Sequence, residues 1–255
     1  MSSRSAPPRL HVNSQTRSLS FDTDLVQSSM RLDAPDELLL EYTRAMMGFL
    51  LFEPAPASIL MVGLGGGSLP KYCHRHLPGT HVTVVEIEQD VIDLRDEFGI
   101  PRDDDRLRVI HADGARWVGQ AETRYDVILV DGFHQHGQPP ELCTPAFYRH
   151  CARALTDQGT LVINMHSQQP ALATMLQRVR KVFAGSMLSI PVDDGQNEVV
   201  FAAAPAVMAA CARHFEKHWG ALAPAHQATL GACSSRIERA LGKLPPFGAP
   251  KSIQT

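Results

Sequence analysis

The chain has 255 residues, enough to bury one sizeable core, and a single domain with a small extension is the expectation. Its apolar share of 44% and charged share of 20% are those of an ordinary globular protein. A formal charge of −3 with no run of Lys or Arg argues against nucleic acid or an anionic membrane as partner, and no apolar stretch approaches the length of a bilayer span.

The first residues, Met1 to Pro8, contain no apolar segment of the kind a signal peptide carries. Five cysteines, at 73, 143, 151, 211 and 233, are odd in number and lack CxxC spacing, so they read as reduced thiols of a cytoplasmic protein. Residues 9–30 alternate weakly between apolar and polar and suggest a small β-hairpin arm. Pro35 and Asp36 then open a stretch, Glu37 to Phe52, whose apolar residues at 38, 39, 42, 46, 47 and 50 have helical spacing.

From residue 58 the pattern changes to short apolar runs separated by helical segments. Strands are expected at 58–62, 82–87, 107–111, 125–130 and 160–165, with helices at 69–76, 89–98, 147–155 and 171–183. Residues 187–192 and 198–203 read as a hairpin about Asp193-Asp194-Gly195, and the last fifty residues as helices ending in a Pro/Gly tail. Apolar strands alternating with helices imply an α/β fold: a Rossmann-like, doubly wound, mostly parallel sheet, with an antiparallel C-terminal strand pair and the small N-terminal β-hairpin arm. The expected division is an arm and helix at 1–53, a nucleoside-binding core at 54–204, and C-terminal helices and tail at 205–255.

Ligands of such sheets sit beyond the carboxyl ends of the strands, which directs attention to the residues that follow each one. After the first core strand comes Gly63-Leu64-Gly65-Gly66-Gly67, where Gly63, Gly65 and Gly67 allow a sharp turn and close approach of backbone to a ligand. A dinucleotide fingerprint would need glycine at Ser68, and a P-loop would need Gly-Lys-Ser/Thr, so neither is present. Taken alone, such a cluster can also be no more than a tight strand-to-helix turn. Three acids then end successive strands. Glu86, about twenty residues after the turn, is placed to accept hydrogen bonds from ribose hydroxyls, Asp113-Gly114 to meet an adenine amine, and Asp131 to lie near the reacting end of the ligand. Singly, each is an ordinary loop carboxylate, but the series suits a cationic sulfonium nucleoside better than a phosphorylated one.

On these residues the sequence resembles the spermidine synthase family, aminopropyltransferases built on a methyltransferase-like sheet. The resemblance spans roughly 18–200 and rests on Leu25-Val26-Gln27, Gly65-Gly66-Gly67, Val84-Val85-Glu86-Ile87, Asp113-Gly114, Tyr125 to Asp131, and Leu142 with Phe147-Tyr148. It implies S-adenosylmethionine or its decarboxylated form as substrate, with Glu86 on the ribose, Ile87 and Gly114 beside the nucleoside, Asp113 on the adenine and Gln27 near the sulfur. Asp131 would deprotonate the attacking amine, and a small-molecule amine would be the acceptor. Two positions depart from the family pattern. Ser68 stands where an acid would hold the aminopropyl ammonium, and His134 stands where a second Asp would follow Asp131. A tyrosine of the family near Gln27 has its counterpart late, at Tyr42. Because an unpaired ammonium is costly to bury, putrescine is expected to be a slow acceptor.

His134 is the second candidate base, its ordinary pKa lying near neutrality. His134 and His136 read as loop histidines, not as a metal site, and no metal is expected. His74 and His76 read as surface residues, Cys143 as a buried thiol, and Trp117 and Phe133 either as walls of the ligand site or, more commonly for such residues, as core. A homodimer is the expected assembly. Two alternatives remain open. One is methyl transfer from ordinary S-adenosylmethionine, whose carboxylate Ser68 would tolerate. The other is a non-catalytic nucleoside-binding homologue, which would bind without turnover.

Overall fold

The computed structural model describes residues 7–21, 26–134, 137–192 and 195–244. At the N-terminus, β1 (Arg9–Val12), β2 (Thr16–Ser20) and β3 (Val26–Arg31) form an antiparallel sheet in that order. The expected hairpin is therefore a three-stranded meander, because Val26–Arg31 supplies a further strand paired to β2.

The expected helix over 37–52 is shorter and composite. Helix α1 (Glu41–Met46) runs into a 3₁₀ segment, Met47–Leu51. The residues before it stay out of the helix because their carbonyls are already occupied. The Arg44 guanidinium donates to Leu38 O at 2.6 Å and to Leu39 O at 3.3 Å, while the Thr43 hydroxyl donates to Leu40 O at 2.5 Å.

The main sheet is built from β4 (Ser58–Val62), β5 (His81–Glu86), β6 (Leu107–His111), β7 (Tyr125–Val130), β8 (Leu155–His166), β9 (Met187–Pro191) and β10 (Asn197–Ala203). Their order is β6-β5-β4-β7-β8-β10-β9, parallel from β6 to β8 and antiparallel at β10 and β9. Strand identity follows from two-sided burial. Ile59 and Met61 of β4, with Val127 and Leu129 of β7, enter one core, while Leu60, Val62, Ile128 and Val130 enter the other. Helices α1, α2 (Ser68–His76) and α9 (Pro224–Leu241) contribute to the first core. Helices α4 (Gly114–Gln120), α5 (Pro145–Ala154) and α6 (Leu172–Val182) pack over the second. Helices α7 (Pro205–Arg213) and α8 (Phe215–Ala221) complete the C-terminal part.

Several boundaries differ from expectation. Helix α3 covers only Gln89–Ile92; turns then carry the chain to Gly99, whose φ of +60° breaks any helical continuation. Strand β8 begins at Leu155, five residues early, because Leu155 pairs with Tyr125 ahead of a register shift. Helix α4 is absent from the sequence expectation, although Asp113 caps it by accepting from Ala115 N–H at 2.8 Å and Arg116 N–H at 3.1 Å. The hairpin of β9 and β10 is as expected, with Gly195 left-handed; Asp193, Asp194 and the Pro/Gly tail lie outside the described residues.

Candidate active site

The sheet reverses its winding at β4: the chain first builds outward through β5 and β6, then returns to the other side of β4 with β7. At such a point the loops beyond the strand ends diverge and leave a crevice. A cavity of about 570 Å³ occupies it, within the usual range for small-molecule sites. The N-terminal sheet forms its outer wall through Val26, Gln27 and Ser28.

The glycine turn forms its floor. Gly63 has φ +99°, and a Cβ there would run into the backbone of Asp131, so the ends of β4 and β7 meet only because residue 63 has no side chain. Gly67, at φ +67°, precedes α2 and abuts Ile100; it shapes the turn but does not line the cavity, unlike Gly63 and Gly65.

Glu86 is buried at the end of β5, 7% exposed. Its Oε2 accepts from Leu64 N–H at 2.7 Å, and Oε1 accepts from Glu88 N–H at 2.9 Å. Burial pushes its carboxyl above the usual range, against the opposing pull of those backbone donors. The carboxylate is thus clamped against the glycine turn, with lone pairs left on both oxygens for a diol. Asp113 uses one oxygen to cap α4 and keeps the other, while Ile87 is 58% exposed; both line the same cavity end together with Gly114.

Asp131 follows β7. Asn164, near the C-terminal end of β8, donates through Nδ2 to Asp131 Oδ1 at 2.9 Å. Tyr42 of α1 also hydrogen-bonds the carboxylate, and its hydroxyl lies 3.2 Å from Gln27 O. Enclosure by protein on every side but the cavity pushes the Asp131 pKa up to about 6; the bonds from Asn164 and Tyr42 oppose that rise, and the Glu86 charge adds to it.

Thus Gln27, Gly63, Gly65, Glu86, Ile87, Asp113, Gly114, Asp131 and His134 are brought to one cavity, along with Ser68 and Phe133. His136 lies outside the described residues. Trp117 instead packs against the core beneath α4. Cys143 is buried, its thiol pushed up to about 11 by burial, and all five cysteines are free. His74 and His76 are half-buried, not surface residues. His74 Nε2 lies 2.7 Å from Asp104 Oδ2, and the His76 ring lies 4.5 Å from that of Tyr72.

Sequence reasoning did not find Asn164 and His166, and it left Tyr42 too far from Gln27 to place. Asn164 had a signal: it is the polar residue inside the apolar run Leu161-Val162-Ile163-Asn164-Met165, and a buried amide in a central strand needs partners. Tyr42 had only the family resemblance, and no local pattern, because its proximity to Gln27 depends on how β3 lies against α1.

Among the described residues, no group of three or more His, Cys, Asp or Glu could hold a metal ion, and no helix is long and apolar enough to cross a membrane. The model of the spermine/spermidine synthase domain matches residues 39–192. A polyamine aminopropyltransferase of Neisseria meningitidis is 40% identical over 188 residues, 73% of this chain and 72% of the relative. Among solved structures, a spermidine synthase in complex with the transition state analogue AdoDATO superimposes with a TM-score of 0.61 at 18% identity, covering 89% of each chain. Human methyltransferase-like protein 13 in complex with SAH gives a TM-score of 0.60 at 24% identity, covering 84% of this chain and 97% of that one. At these identities the two structures establish a methyltransferase-like fold.

Proposed function

The chain belongs to the spermine/spermidine synthase family, and on that premise we propose that it transfers an aminopropyl group from decarboxylated S-adenosylmethionine to an amine. The carrying observation is Asp131: a cavity-facing carboxylate with its pKa raised to about 6, held by Asn164 and Tyr42. Glu86 takes the ribose hydroxyls, Asp113 the adenine amine, and Ile87 stands against the base. Gln27 lies near the sulfur, and Gly63 and Gly65 let the nucleoside lie on the backbone. The sulfonium then sits between the glycine turn and Asp131.

In the reaction, the amine nitrogen attacks the aminopropyl carbon bonded to sulfur. The new N–C bond forms as the C–S bond breaks, and its electron pair stays on sulfur as the neutral thioether methylthioadenosine. The proton shed by the amine goes to Asp131. Alkyl transfer to a good leaving group needs little covalent help, so the protein contributes position and one base. A carboxylate with a pKa near 6 is ionised at neutral pH yet basic enough to take the proton. His134, half-buried in the same cavity, is the second candidate for that role.

Calorimetric titration with methylthioadenosine, S-adenosylmethionine and its decarboxylated form, followed by mass analysis of products, tests this reading. Binding of methylthioadenosine and release of it from the decarboxylated donor are expected. Methyl transfer in place of aminopropyl transfer would replace this reading, and binding without turnover to any amine would make the protein a non-catalytic binder.

A further inference from the structure

One polar side chain stands inside a fully buried stretch of β8. Leu161, Val162, Ile163 and Met165 have no exposed surface, and Asn164 among them is 2% exposed. A carboxamide in such a place is costly unless it is hydrogen-bonded. Both the backbone and the side chain of this residue are engaged. Its carbonyl accepts from Gln138 Nε2 at 2.9 Å, and Gln138, itself 3% exposed, belongs to the loop that follows β7. That bond lies one residue past Val130↔Ile163, the last pair of β7 with β8. The Asn164 side chain donates through Nδ2 to Asp131 Oδ1 at 2.9 Å. Asn164 is thus held from the loop side and aimed at the carboxylate that follows β7.

The contact has one polarity. An ionised carboxylate offers only lone pairs, so the amide presents its N–H, and the bond favours the charged form of Asp131. It opposes the effect of burial, and more strongly than the bond from Tyr42 does. Tyr42 has a single hydroxyl proton with Gln27 O also within reach at 3.2 Å, whereas Asn164 is fixed in the sheet opposite Val199. Glu86, Glu88, Asp113, Glu141, His134 and His166 share the cavity, and of these Glu86 adds its charge to the effect of burial on Asp131.

We propose that Asn164 is a positioning residue for the transfer: its amide keeps the Asp131 carboxylate in the ionised form that takes the proton of the amine. It acts through Asp131. The assignment rests on the aminopropyl-transfer reading, which supplies the proton to be taken.

Asn164→Leu tests it, because the leucine keeps the volume and the backbone carbonyl that Gln138 binds, leaves every charged neighbour in place and removes the donor. The acid limb of kcat/KM for aminopropyl transfer should then move up by about one pH unit, the size of a lost hydrogen bond to a charged group. For such a shift the deficit against the unmodified protein is about fivefold larger at pH 6 than at pH 9, while methylthioadenosine affinity is unchanged. An equal deficit at every pH, with the limb in place, would assign Asn164 to packing alone and overturn the proposal. Should the leucine variant not fold, Asn164→Ala replaces it; its limb should move in the same direction, and an unmoved limb counts equally against the proposal.

A second readout needs no turnover. The stability that Asp131→Asn gains over the aspartate, followed by denaturant melts, should level off near pH 6 in the unmodified background and near pH 7 in the Asn164→Leu background. A plateau at the same pH in both overturns the proposal. Failure of the transfer reading shows separately, as no release of methylthioadenosine from the decarboxylated donor by the unmodified protein. The melts then still decide whether Asn164 holds the charge on Asp131.

Discussion

At the scale of single residues, the site depends on two carboxylates whose burial works against their charge. Asp131→Asn keeps the shape and the bond from Asn164 but removes the base, so aminopropyl transfer should fall by about 10²–10⁴-fold while methylthioadenosine binding persists. Turnover within tenfold of the unmodified protein would exclude Asp131 as the base. Because burial raises its pKa to about 6, kcat/KM should decline as pH falls below that value. A profile flat down to pH 5 would contradict the assignment. The same shift has a stability consequence of fixed sign. A raised folded pKa means that the fold favours the protonated form, so this contribution is full below the unfolded pKa and is lost as pH rises through about 6. Asp131→Asn should therefore gain in stability over the unmodified protein between pH 4 and 6, then hold a constant advantage of about 3 kcal/mol at pH 7 and above. Denaturant melts across that range measure it. Glu86→Ala should weaken methylthioadenosine binding by about 1–3 kcal/mol, since the ribose loses a charged acceptor. Calorimetry giving unchanged affinity in a folded variant would take Glu86 out of the site.

At the scale of elements, the N-terminal sheet becomes a wall of the site through one buried cation. Lys71 of α2 donates to Pro35 O and Phe98 O, each at 2.7 Å, and lies 3.1 Å from Met30 Sδ of β3. Burial brings its pKa down to about 8. The lysine thereby ties α2, which starts in the glycine turn, to β3 and to the turn after α3. Lys71→Met keeps the apolar stem but leaves the buried carbonyl of Phe98 without its donor, which should cost about 1–3 kcal/mol, whereas water can reach the exposed Pro35. Hydrogen exchange should rise in β2 and β3 more than in β4 and β7, because the Lys71 ammonium joins α2 to Met30 of β3. Uniform loss of protection across both sheets would show that Lys71 serves the whole core instead.

At the scale of the whole molecule, a ligand that binds only the folded state stabilises it by mass action. Methylthioadenosine at a hundred times its Kd should add about 2.7 kcal/mol and raise Tm by roughly 5–10 °C for a chain of this size. NAD and ATP should leave Tm unchanged, because the glycine turn lacks the pattern for holding their phosphates. A larger rise with NAD would overturn the nucleoside assignment. The architecture supports this expectation: the reversal of winding at β4 brings Gly63, Glu86, Asp113 and Asp131, from four separate strand ends, onto one cavity.

The sequence by itself determined the parallel core and the acids at its strand ends, which line one cavity. Two-sided apolar runs such as Ile59–Val62 and Val127–Val130 have few other ways to be buried, and a residue directly after a parallel strand is bound to lie at the sheet's ligand edge. It also indicated the glycine turn, whose positive φ angles exclude most side chains. Three things were decided only by tertiary structure. Helix α1 begins late because Arg44 takes the carbonyls of Leu38 and Leu39, a competition that helical periodicity does not register. Gln27 meets Tyr42 through the docking of a β arm on a helix, across a separation in sequence that no local pattern spans. Asn164 and His166 become part of the site because β8 lies beside β7, so that the C-terminal end of β8 brings Asn164 against Asp131 and His166 into the same cavity. Local order follows from propensity and burial along the chain, whereas the acceptor end of the site depends on which strands become neighbours.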